Sequence, residues 1–227
     1  MNQNMDQGLV FVAGASRGVG REVVKQLRDR NILTKALLRT DATQAELENM
    51  GVTTVLGDAL DAHAVERAML ADPVGAVVST IGGLPKDGQR ADFLGNRHLI
   101  EAAVKAGVKK FILVSSIGSG NSAAAIPPQA LETLRPVLLE KEQAENFLIA
   151  SGLTYVIIRP GGLKSEPATG NGVLTGDVAI AGTIHRADVA QLVCQCLMGD
   201  RADNQVWSAV DRNMTYSQAP FETLSFD

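Results

Sequence analysis

The chain has 227 residues, enough for one well-buried core, with a formal charge of −4 and two cysteines. With one Trp, two Tyr, six Phe and no basic excess, it offers no field for nucleic acid or an anionic membrane surface. The opening "MNQNMDQG" lacks the charged and apolar regions of a signal peptide, and no apolar run reaches bilayer length. A single-domain cytoplasmic protein with small-molecule partners is expected.

Short apolar runs recur along the chain: Leu9 to Ala13, Lys35 to Arg39, Thr53 to Gly57, Gly75 to Thr80, Lys110 to Ser115 and Thr154 to Pro160. Such runs suit strands of a parallel sheet covered on both faces. Helix-length segments lie between them, notably Gly18 to Arg30, Asp61 to Leu70, Phe93 to Ala106 and Leu131 to Ser151. The alternation predicts one α/β domain over 1–227, a Rossmann-like doubly wound parallel sheet with helices on both faces. Three long loops, 81–92, 116–128 and 161–172, follow strand carboxyl ends, where such sheets bind ligands.

The first strand runs into "FVAGASRGVGREVV", with glycine at 14, 18 and 20 before a helical pattern. Small residues there permit a tight turn and let backbone N–H groups and the helix dipole meet a pyrophosphate. Gly14, Ser16, Arg17, Gly18, Val19 and Gly20 are the candidate cradle. At the end of the second strand, an acidic residue would accept from the 2′-OH of NAD; "ALLRTDA" instead offers Arg39, whose guanidinium suits a 2′-phosphate. Arg17 adds a second cation, so NADP(H) is the expected cofactor. Asp41 is read as the cap of the next helix. After the fourth strand, Thr80, Ile81 and Gly82 bring backbone close to ribose and phosphates.

The spacing G-x-x-x-G-x-G resembles the short-chain dehydrogenase/reductase superfamily, with Ala13 where threonine is frequent. That resemblance implies that Asp58, with Ala59 beside it, holds the adenine amino group; helix capping is the alternative. In the superfamily a strand-end serine is joined by a tyrosine and, four residues later on one helix face, a lysine that binds ribose and lowers the tyrosine pKa. Here Ser115, Ser116 and Lys141 are present, but Val137 occupies the tyrosine position. Tyr155 and Tyr216 are followed at the fourth residue by Arg159 and Pro220, so Y-x-x-x-K occurs nowhere.

Without a placed acid, exchange between a simple alcohol and its ketone is disfavoured; hydride should go to a conjugated acceptor that takes its proton from water. The glycine loop, Arg39, "GD" at 57–58, the serine pair, "SGLTY", "RPGGL", "TGNGVLTGDVAIAG" and "IHRADVAQLV" together resemble the biliverdin-IXβ reductase/flavin reductase branch and its NmrA-like neighbours. The resemblance implies an NADPH-dependent reductase of a flavin or a linear tetrapyrrole. Ser116 and Lys141 are the candidate catalytic residues, and Ser115, Lys141, Pro160, Gly161 and Leu163 are expected to meet the nicotinamide riboside. A non-catalytic NADP(H)-binding sensor or assembly module is the rival; a nucleotide-sugar epimerase is disfavoured because such enzymes keep the tyrosine.

The remaining polar residues carry weaker signals. Arg186 and Asp188 read as an ion pair or a helix cap, and His185 as a weak pocket candidate. His63 is expected in solvent and His98 on a helix surface. Cys194 and Cys196, two apart on a helix, cannot easily bridge and read as core residues, with no metal expected. "TGNGVLTGDVAIAG" looks like a hairpin, and the stretch from Asn204 like an edge strand with a tail over the pocket or an association surface.

Overall fold

The computed structural model describes residues 8–82, 89–217 and 219–226. The amino-terminal stretch read for a leader (1–7) and the middle of the 81–92 loop (83–88) lie outside them. The first half alternates β1 (Leu9–Ala13), α1 (Gly18–Asp29), β2 (Thr34–Leu38), α2 (Gln44–Asn49), β3 (Thr53–Leu56), α3 (Ala62–Leu70) and β4 (Val74–Ser79). Then follow α4 (Leu94–Lys105), β5 (Lys110–Val114), α5 (Pro128–Ala150), β6 (Thr154–Pro160), β7 (Gly162–Lys164), β8 (Gly172–Thr175), β9 (Thr183–His185), α6 (Arg186–Met198) and β10 (Gln205–Asp211). The main sheet runs β3-β2-β1-β4-β5-β6-β10-β8, parallel throughout except for β8 against β10. Strand order reverses between β1 and β4, and this doubly wound arrangement places a ligand crevice at their carboxyl ends.

The period of two in β1 sorts the core into layers. Val10 and Val12 face the side where Val23, Val24 and Leu27 of α1 pack with Val189 and Val193 of α6. Phe11 and Ala13 face the opposite layer, filled by Val65 and Met69 of α3, Leu99 and Ile100 of α4 and Leu148 of α5. Every residue of β2 is buried, including Lys35, whose Nζ leaves the core to reach Ala68 O at 2.9 Å and Asp72 Oδ2 at 2.6 Å. This answers why a lysine is tolerated in a central strand: its stem is apolar and its head is paired.

The two thiols sit in the α1/α6 layer and are free. Burial pushes them up, to about 11 for Cys194 and about 12 for Cys196.

The late chain differs from its sequence pattern in two places. The "TGNGVLTGDVAIAG" segment is not a hairpin: β8 pairs antiparallel with β10, whereas β9 pairs parallel with β7 in a separate two-stranded sheet. And β10 is not an edge strand, because it lies between β6 and β8. The tail beyond it runs along β8, with Leu224 N–H donating to Leu174 O at 2.8 Å and Leu224 and Phe226 packed on the core. Isolated apolar runs do not specify their partners, so strand order here depends on which edges the rest of the sheet leaves open.

Candidate active site

A cleft of about 850 Å³ opens at the strand carboxyl ends, floored by the glycine loop and by Thr80 to Gly82. Three glycines shape its floor in different ways. A Cβ on Gly14 (φ +91°) would stand 2.5 Å from Thr80 Oγ1, and one on Gly20 2.3 Å from Gly14 O, so these two let β1, β4 and α1 close on one another. Gly18 (φ +60°) instead faces the cleft, with nothing nearer than Arg186 Nε at 3.7 Å from such a Cβ. Arg17, at the N-cap of α1, is extended and gives no side-chain cap, and the first turn carries no acidic residue. The leading N–H groups of α1 are therefore available to an anion, which is the donor set a pyrophosphate requires.

At one end of the cleft Arg17 and Arg39 are exposed, and neither guanidinium has a protein partner among the described residues. Thr40 and Thr43 line the same end. Asp41 belongs to a short 3₁₀ turn, Asp41–Thr43, and α2 receives no side-chain cap, so the expected capping role is absent. Asp58 lines the cleft and accepts from Leu60 N–H at 2.9 Å; the cap of α3 is Asp61, which accepts from His63 and Ala64 N–H. Those bonds hold the Asp61 carboxyl below its ordinary range, the Ala64 N–H being the largest cause. His63 is exposed as expected, whereas His98 is half-buried with Nδ1 2.9 Å from Ala59 O, behind the cleft wall.

At the other end Lys141, Ser115, Ser116, Ile81, Gly82 and Leu163 come together. Lys141 Nζ lies 3.0 Å from Oδ1 of fully buried Asp92, and a Cβ on Gly82 would stand 2.5 Å from that same oxygen. Glycine at 82 is thus what lets loop, carboxylate and ammonium meet. Ser115 donates its hydroxyl proton to Glu145, one helical turn beyond Lys141. Glu145 also takes Arg159 in a fork, Nε to Oε1 at 3.1 Å and Nη2 to Oε2 at 2.6 Å, and Arg159 Nη1 reaches Asn121 Oδ1 at 2.6 Å. Ser116 donates to Ile117 O at 2.9 Å. Both serines present lone pairs rather than a proton to the cleft.

Val137 is half-buried one turn before Lys141 and does not line the cleft. Neither tyrosine replaces it. Tyr155 lies near the amino-terminal end of β6, away from the carboxyl ends where the cleft opens, and Tyr216 is 68% exposed with its N–H on Ala181 O.

Gly20, Pro160 and Gly161 do not line the cleft. Pro160 O accepts from Ile117 N–H, and Gly161 N–H donates to Ala209 O, with space for a Cβ denied by Gly182 O at 2.3 Å. These two close the sheet beneath the site. Arg186 and Asp188 are not paired. Buried Asp188 accepts from Thr169 and Gly170 N–H, whereas Arg186 lines the cleft and donates to Leu163 O and Ser165 Oγ. His185 is buried off the cleft, its Nδ1 2.5 Å from Pro167 O. Asp92 had no sequence signal, but Glu145 falls on the Val137–Lys141 helix face, and Arg159 is a lone charge in an apolar strand.

A doubly wound sheet with an uncapped glycine-loop helix at its switch point defines a dinucleotide-binding protein. The NAD(P)H-binding family matches residues 14–200, and the chain belongs to it, as an atypical member of the short-chain dehydrogenase/reductase group. A Bacillus subtilis protein described as an uncharacterized sugar epimerase, YhfK, is 33% identical over 215 residues, covering 92% of this chain and 97% of its own. Sanguinarine reductase of Eschscholzia californica is 26% identical, with 87% of each chain covered. Among solved structures, anaerobilin reductase ChuY of Escherichia coli O157:H7 is similar at a TM-score of 0.83 and 31% identity, covering 90% of this chain and 98% of that one. No helix among the described residues is long and apolar enough to cross a membrane.

Proposed function

We propose that this chain is an NADPH-dependent reductase of a planar conjugated acceptor, a flavin or a bilin. The observation that carries the proposal is the state of the protons around Lys141. Valine stands at the position one turn ahead, and the hydroxyl protons of Ser115 and Ser116 are spent on Glu145 and Ile117. No uncommitted side-chain hydroxyl lines that end of the cleft among the described residues. A saturated ketone reduced there would leave a strongly basic alkoxide with no side-chain hydroxyl to protonate it. A conjugated acceptor spreads the incoming charge and collects its proton from water.

When bound, NADPH supplies the hydride. Arg17 and Arg39 bind the 2′-phosphate, Lys141 the ribose hydroxyls, and Asp92 holds the Lys141 side chain in place. Ser115, with its proton fixed on Glu145, accepts from the cofactor's carboxamide or ribose, and Leu163 covers the nicotinamide. The similar proteins named as reductases of anaerobilin and sanguinarine support an acceptor of this conjugated kind. The epimerase description of the Bacillus relative supplies no residue for that chemistry here, since position 137 lacks the tyrosine.

The test is oxidation of NADPH, followed at its absorbance band, with FMN and with biliverdin as acceptors. Enzyme-dependent turnover with either is expected. Stereospecific interconversion of a simple secondary alcohol and its ketone would refute the proposal, and tight NADPH binding without turnover across conjugated acceptors would assign a sensing or assembly role instead.

A further inference from the structure

We infer that Arg186 is a cofactor-binding residue, a cation that grips the diphosphate of the dinucleotide beside the glycine loop. It rests on dinucleotide binding and not on the identity of the acceptor. Arg186 is the first residue of α6, yet its side chain lines the cleft and passes over the first residue of α1. A Cβ built on Gly18 would stand 3.7 Å from its Nε and 3.9 Å from its Cδ. The guanidinium is therefore beside the uncapped helix start, where an oxyanion would meet the backbone N–H groups.

The side chain is also held ready. Nη1 donates to Ser165 Oγ at 2.7 Å and to Leu163 O at 3.3 Å, which fixes its position without consuming its charge. Both bonds of the guanidinium leave from Nη1, so among the described residues its Nε and Nη2 N–H groups have no protein partner and no carboxylate pairs with it. The obvious counter-ion, Asp188, is turned toward Thr169 and Gly170. A helix end supplies only about half a positive charge, whereas a diphosphate brings about two negative ones. An anchored guanidinium with a free edge at that point supplies what the helix lacks. Its anchor on Leu163 and Ser165 further ties the diphosphate to β7, the strand whose Leu163 lines the nicotinamide end.

Two fragments separate this role from others: ADP, which carries the diphosphate, and 2′-AMP, which carries only the adenosine end. In Arg186→Gln, calorimetric titration should show ADP binding about tenfold weaker, NADPH and NADH weakened by a common factor, and 2′-AMP within about twofold of the parent. Unchanged ADP affinity alongside weaker NADPH would overturn the inference, since Arg186 would then only prop the Leu163–Ser165 segment. A common loss of ADP and 2′-AMP would also overturn it, as a general collapse of the cleft. Arg186→Lys keeps the charge and the stem but loses the fork, and remains testable if the glutamine variant does not fold. With its melting temperature unchanged, ADP should weaken severalfold; equal ADP affinity would defeat the assignment. Failure of 2′-AMP to bind the parent protein would count against the Arg17/Arg39 subsite, leaving the ADP comparison to decide Arg186.

Discussion

Glu145 and Arg159 are 2% and 5% exposed, and their charges are balanced chiefly by each other. Replacing Glu145 by Leu leaves a buried guanidinium whose remaining partner is Asn121, and replacing Arg159 by Met leaves a buried carboxylate with Ser115. Removing one member of a buried pair costs about 3–5 kcal/mol, whereas replacing both by apolar groups of similar volume is often close to neutral. In a domain of this size 1 kcal/mol moves the melting temperature by about 2–4 °C, so each single variant should melt about 6–20 °C lower. The double variant should be more stable than either single one. Urea unfolding followed by fluorescence and circular dichroism gives the four corners of the cycle. Single variants within about 1 kcal/mol of the parent, or losses that add in the double, would refute a dry, mutually dependent pair. The functional consequence is separate: loss of Glu145 frees the Ser115 proton and should change the rate at which the cleft reduces a carbonyl.

Three other outcomes follow from the site and the core. Arg39→Ala should raise the Kd of NADPH by about 10–100-fold and leave NADH nearly unchanged, because only the former carries the 2′-phosphate; equal losses would remove that assignment. Val137→Tyr should leave flavin reduction nearly unaltered, since water already supplies the proton, and a large rise in rate would show that proton transfer had been limiting. Burial raises Cys194 and Cys196 from an ordinary 9.0 to about 11 and about 12, so a disulfide reagent at pH 8 should label neither thiol in the folded protein and both in urea. Because the folded values exceed the unfolded one, their stabilising contribution is whole below pH 9 and is lost as pH rises through about 11 and 12. Rapid labelling of the native protein would contradict the burial.

Local sequence determined the cofactor half of this protein. Gly14 follows β1 directly, Gly18 and Gly20 open α1, Arg39 follows β2, and Lys141 stands four residues after Val137, so periodicity and short spacing were enough to place them at a turn, a helix start, a strand end and a helix face. The strand pattern from Leu9 to Pro160 likewise carried the doubly wound sheet, because buried parallel strands must be continuously apolar. Only the tertiary structure decided which polar groups are already engaged. Asp92 reaches Lys141 across 49 positions of chain, Ser115 reaches Glu145 across 30, and Arg186 reaches Gly18 at the start of α1 across 168. The order of the last strands was decided in the same way, with β8 passing β9 to pair with β10. Hydrogen bonds and ion pairs are satisfied by proximity in space, which a sequence neighbourhood does not encode; the absent tyrosine is written in the chain, but the commitment of both serine protons is not.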